Sequence, residues 1–90
     1  MTCKATVTIQ NIKGLHARAT SILVGCADSF ISEITVQKDN ICVSAKSVMG
    51  LLMLGAACGD TVEITTCGPD EEKALATVTQ LIKNKFGEEN

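Results

Sequence analysis

Ninety residues and 9.5 kDa, 46 % apolar and 20 % charged with a formal charge of -2, describe one small globular domain spanning 1–90 and argue against a second domain or a disordered tail. Two aromatic residues, Phe30 and Phe86, and a pI near 5.2 leave little to stack bases on and no basic field for a phosphate backbone, so no nucleic-acid partner is expected. The longest uncharged stretch, 47–59, holds 13 residues, well short of the ~20 that cross a bilayer, so no membrane insertion is expected.

The start of the chain lacks an apolar signal core, and a cytoplasmic location is expected. Cys3, Cys26, Cys42, Cys58 and Cys67 are an odd number with neither Cys-x-x-Cys nor zinc spacing. They are expected to be reduced, mostly buried small hydrophobes, with no metal and no cofactor.

In chain order, Ala5, Val7 and Ile9 alternate with polar residues and predict a first strand with one buried face. Ala19, Ile22, Leu23, Cys26 and Ala27 recur at helical spacing and predict a helix from about Ala17 to Asp28. Phe30, Ser32, Ile34 and Val36, then Ile41, Val43 and Ala45, predict two antiparallel strands turning at Asp39-Asn40, residue types that tolerate a positive φ. A short helix follows, capped by Ser47 and closing between Gly55 and Gly59.

Val62, Ile64 and Thr66 mark a fourth strand. Gly68-Pro69-Asp70 leads into a last helix with Glu71 and Glu72 at its start and Lys83 and Lys85 at its end, the charge order a helix dipole favours. Its buried stripe is predicted to be Leu75, Val78, Leu81, Ile82 and Phe86. The order βαββαβα, with alternating strands and one-faced helices, predicts an α+β open-faced two-layer sandwich: a four-stranded antiparallel sheet with three helices on one face.

The only histidine and the only arginine sit two residues apart in Gly14-Leu15-His16-Ala17-Arg18, where the first long helix begins. Helix starts carry unpaired N-H groups and partial positive charge, and so attract anions. An imidazole there is a nucleophile able to take a phosphoryl group on one ring nitrogen, and a guanidinium suits phosphate oxygens. No Walker-type loop and no carboxylate cluster for Mg²⁺ accompany them, so no independent use of ATP and no hydrolytic activity are expected. The chemistry is that of a carrier with a phosphohistidine intermediate. The plainer alternative is that His16 caps a helix and Arg18 is a solvated charge.

The segment 46–54 is apolar nearly all round its short helix. Leu51, Leu54 and Gly55 can face the sheet, leaving Val48, Met49 and Leu52 as an apolar patch of the kind that meets partners. The alternative, that all of them are core, stays open, as does a role for Ser47 as an N-cap worth ~1 kcal/mol and nothing more. A phosphate on Ser47 would add roughly -1.5 to -2 charge beside the patch.

Gly14-Leu15-His16-Ala17-Arg18 resembles the active-site motif of the HPr family, the phosphocarriers of the bacterial phosphoenolpyruvate-dependent phosphotransferase system. Lys46-Ser47-Val48-Met49-Gly50 resembles that family's regulatory serine motif, about 30 residues on. The resemblance implies that Enzyme I, charged from phosphoenolpyruvate, phosphorylates His16 at Nδ1, and that the group passes to a histidine of a IIA-type domain with Arg18 stabilising the phosphate. It also implies Ser47 as a target of a dedicated kinase/phosphorylase, and Ala17, Val48, Met49 and Leu52 as partner-binding residues.

One position departs from the motif: Ala19 stands where the family usually has proline, and some members resembling the nitrogen-related branch carry a small residue there. Sugar transport and a regulatory relay therefore both stay open as destinations. Two other classes compete. One is a ferredoxin-like regulatory or ligand-binding module, which shares the order of elements but has no reason to place its only His and Arg at a helix start. The other is an interaction protein modified at Ser47 without carrier activity. A copper chaperone would need a Cys-x-x-Cys after the first strand, where Asn11-Ile12-Lys13-Gly14 stands instead.

Overall fold

In the computed structural model, which describes residues 2–89, the order is β1 (Thr2–Thr8), α1 (Ala17–Asp28), β2 (Glu33–Lys38), β3 (Ile41–Ser44), α2 (Val48–Leu54), β4 (Thr61–Cys67) and α3 (Glu71–Lys83), then a 3₁₀ turn, Lys85–Gly87. The strands form one antiparallel sheet in the order β1-β4-β2-β3, with Val7 opposite Val62 and Val36 opposite both Ile64 and Val43. A ferredoxin-like sheet would set the third strand beside the first. Here the β2–β3 hairpin is turned the other way, so that β2 lies against β4 and β3 forms a free edge.

The period-2 pattern puts Val7, Ile34, Val36, Val62 and Ile64 on the sheet's covered face, where they meet Ala19, Leu23 and Ala27 of α1, Leu51 and Leu54 of α2, and Ala74, Val78 and Ile82 of α3. Each of the larger side chains buried here contributes about 1.5–3 kcal/mol relative to exposure. Helix α1 runs between the predicted ends, and Ser47 and Gly55 bound α2 as expected.

Several expectations are corrected. Phe86 is buried, but not as part of the last helix's stripe: α3 ends at Lys83, and Phe86 reaches the core from the 3₁₀ turn, as Ala74 takes the inward place in the helix. Lys85 likewise falls outside α3. Ile41, beside the hairpin turn on the free edge, is exposed, and so is Gly55. The cysteines are free but not mostly buried. Cys3 and Cys26 are half-buried, while Cys42, Cys58 and Cys67 are exposed: Cys42 and Cys67 because strand alternation turns them from the helices, Cys58 because it lies in the turn before β4.

Asp70 fastens α3 to the turn before β2. One carboxylate oxygen accepts from Ser32 N at 2.9 Å and Ser32 Oγ at 2.5 Å, and the other accepts from Ile31 N at 3.0 Å. The Ser32 hydroxyl and these amides hold its carboxyl at about 2, below the ordinary aspartate range, against an opposing effect of burial. A carboxyl depressed in the folded state stabilises at pH above its unfolded value and loses that stabilisation as pH falls from about 4 toward 2. Asp70→Asn is therefore expected to lower the melting temperature at pH 7, with the gap to the unmodified chain closing over that window. Thermal unfolding across pH checks this; a gap that persists at pH 2 contradicts it.

Candidate functional site

The site is built on the connection from β1 to α1. This loop is tied to the segment between α2 and β4: Ile9 N donates to Asp60 O, Gly59 N to Ile9 O, and Leu15 N to Ala56 O at 2.9 Å. Asp60 braces that segment, accepting from Ala57 N at 2.8 Å and pairing with Lys38 at 3.0 Å; the Ala57 amide first, then Lys38, holds its carboxyl low. Gly14 sits on this shelf with φ +61, and a Cβ there would lie 2.7 Å from Ala56 O and 2.8 Å from Ala57 Cα. Only glycine combines that backbone with that approach. On either side of the loop's end, Leu15 and Ala19 are buried, which turns the residue between Leu15 and the helix outward.

That residue is His16. It occupies the N-cap position of α1 with extended backbone (φ -82, ψ 178), yet its side chain makes no capping hydrogen bond. Among the described residues the first-turn amides of α1 have no side-chain acceptor, and the dipole's positive end stays available to an anion. The ring is instead held by its other end: Nε2 lies 2.5 Å from Glu88 Oε2, with the His16 side chain 25 % and the Glu88 side chain 14 % exposed. A carboxylate only accepts, so Nε2 carries the proton, and in the neutral ring the lone pair sits on Nδ1. Glu88 Oε1 accepts from Asn11 Nδ2 at 3.1 Å, and the same amide donates to Gly14 O at 2.8 Å.

Ile12, Lys13, His16, Arg18, Glu88 and Glu89 line an open cleft of about 220 Å³. It is smaller than the ~300–1,000 Å³ that encloses an organic ligand, but ample for a phosphoryl group. The hydrogen bond from His16 holds the Glu88 carboxyl below the usual range against burial, helped by the Asn11 amide and the charges of His16 and Arg18. Two of the cations around the cleft, Lys13 and Arg18, are exposed and able to meet an incoming anion.

Ser47 is the N-cap of α2, its Oγ accepting from Gly50 N at 3.0 Å. Leu51 and Leu54 are buried, while Val48, Met49, Leu52 and Met53 are exposed, so the short helix does turn an apolar face outward. Ala17, at the first position of α1, is also exposed, and α2 packs beside α1. His16 and Arg18 thus share one cleft, while Ser47 and its patch lie on the neighbouring helix. Among the described residues no group of three or more His, Cys, Asp or Glu side chains is arranged to hold a metal, and no helix is long and apolar enough to cross a membrane.

A family model described as "PTS HPr component phosphorylation site" matches residues 3–84. The chain belongs to the HPr family of phosphocarrier proteins. It is 43 % identical over 84 residues to the phosphocarrier protein HPr of Treponema pallidum (93 % of this chain, 96 % of that one) and 46 % identical over 81 residues to that of Cupriavidus necator (90 % and 91 %). A crystal structure of HPr from Thermoanaerobacter tengcongensis superposes with a TM-score of 0.94 at 44 % identity, covering 98 % of this chain and 99 % of that one.

Within the HPr frame the Ala19 departure is mild. Ala19 is the third residue of α1, and the first intrahelical hydrogen bond is donated by Thr20 N to His16 O, so a proline at 19 would forfeit no such bond and alanine gives none up. Sequence reasoning missed Asn11 and Glu88. Asn11 offers one weak signal, a buried-type position five residues before His16 at the start of a glycine turn. Glu88 offers none, since its 72-residue separation from His16 and its place in a polar Glu-Glu-Asn ending carry no periodicity.

Proposed function

We propose that His16 is the residue that carries the phosphoryl group in this HPr-family chain. Its Nδ1 accepts the group from Enzyme I, charged by phosphoenolpyruvate in the cytoplasm, and yields it to a histidine of a IIA-type acceptor. The observation that carries this is the ring's tether: with Nε2 donating to Glu88, the nucleophilic lone pair is on Nδ1, in an open cleft shared with Arg18. In the transfer the N-P bond forms at Nδ1 as the donor's P-N bond breaks, and the electron pair of the broken bond returns to the donor ring. Arg18 offsets charge on the phosphoryl oxygens. Ala17, Val48, Met49 and Leu52 form the surface on which donor and acceptor dock.

Incubation with Enzyme I and phosphoenolpyruvate should add one acid-labile phosphate, seen by intact mass, and a IIA-type acceptor should remove it. An inert chain, or an acid-stable adduct, contradicts the carrier role.

Ser47 is proposed as the point of control by a kinase/phosphorylase. Aspartate is as good an N-cap as serine, so Ser47→Asp keeps the helix start while adding charge beside the exposed Val48, Met49 and Leu52. The expected outcome is an unchanged melting temperature and a several-fold slower phosphate uptake from Enzyme I. An unchanged rate reduces Ser47 to its capping role.

A further inference from the structure

The last described residues do something that neither the helices nor the sheet require. After α3 the backbone takes three successive left-handed conformations, Lys85 (φ 58), Phe86 (φ 56) and Gly87 (φ 83), the first two at residues for which a positive φ is costly. Phe86 is driven into the core, 4 % exposed, and fixes this turn. Glu88, directly after Gly87, is thereby delivered to the β1–α1 loop, where its two oxygens are divided between Asn11 and His16.

We propose that Glu88, itself held by Asn11, is a positioning residue that fixes the tautomer of His16 and counters the charge its ring gains during transfer. This rests on His16 being the carrier residue.

Asn11 gives the relay its polarity. It is fully buried, and its Nδ2 donates both to Gly14 O and to Glu88 Oε1, while its Oδ1 has no partner among the described residues. The opposite amide orientation would set Oδ1 against a carbonyl and a carboxylate, two acceptors. Asn11 is therefore locked as a donor even at the cost of one unsatisfied buried oxygen. Glu88 accepts at both ends, so the proton at the far end belongs to His16 Nε2 and the lone pair to Nδ1. When Nδ1 gives that pair to phosphorus, the ring still holds its Nε2 proton and becomes formally positive, directly against the carboxylate. An aspartate behind a catalytic histidine works on the same principle in other proteins.

Glu88→Gln tests this with little change of shape. With Asn11 fixed as donor, the new amide must turn its oxygen to Asn11 and its NH₂ to His16 Nε2, which then has to accept. The imidazole proton moves to Nδ1 and occupies the nucleophilic lone pair. ¹⁵N NMR of the ring, recorded where the imidazole is neutral, should show the proton on Nε2 in the unmodified chain and on Nδ1 in Glu88→Gln. The turnover rate for phosphate uptake from Enzyme I should fall at least tenfold, with the KM for this chain and the melting temperature nearly unchanged.

A ring that keeps its proton on Nε2 in the variant, or a variant that turns over normally, overturns the proposal. Failure of the unmodified chain to gain phosphate at His16 would instead remove the carrier role, a separate result, since the tautomer is read without any phosphate.

Discussion

His16→Ala is expected to leave a folded chain that takes up no phosphate from Enzyme I and phosphoenolpyruvate. No other imidazole exists in the sequence to replace it. The fold should survive because the ring is only partly buried and makes no capping bond to α1. What is lost is a single contact between two partly exposed side chains, of a kind that contributes little to stability, so the melting temperature should drop only slightly. The two readouts together separate chemistry from stability. Uptake that persists in a folded His16→Ala chain would place the accepting atom elsewhere.

Gly14→Val is expected to do the reverse, unfolding the site before chemistry is reached. A branched side chain at φ +61 strains the backbone by about 1–3 kcal/mol. Its Cβ would also lie within 2.8 Å of backbone atoms of Ala56 and Ala57, which Asp60 holds in place, and overpacking of this kind costs about 1–3 kcal/mol more. Total stabilities of small domains are about 5–15 kcal/mol, so the urea midpoint should fall steeply. Any surviving folded fraction should have lost the Asn11–Gly14 contact and with it the placement of Glu88. A midpoint close to that of the unmodified chain would mean that the shelf at 56–57 gives way easily and does not set the position of His16.

The sheet, the helices and the residues that invited chemical interest were legible in the sequence because each rests on local pattern. Alternation in Val62, Ile64 and Thr66, helical spacing in Ala19, Leu23 and Ala27, and caps such as Ser47 depend on near neighbours, and the structure realises them. His16 and Arg18 stood out as the only residues of their kind, and they line one cleft.

Features set by distant contacts were not legible. Phe86 continues the apolar stripe of α3 on paper, but the chain leaves the helix first and brings the ring to the core through a left-handed turn. The apolar character of a thiol predicts burial for every cysteine, but strand alternation in β3 and β4 outweighs it and exposes Cys42 and Cys67. The partnership of Asn11, Glu88 and His16 joins the two ends of the chain, and no short-range rule reaches that far.

The most direct test of the carrier role is to locate the transferred phosphate. In ¹⁵N-histidine-labelled protein charged by Enzyme I, ³¹P-¹⁵N coupling should appear at Nδ1 of His16 and vanish when a IIA-type acceptor is added. Coupling to Nε2, or a phosphate held on any residue other than His16, would contradict it.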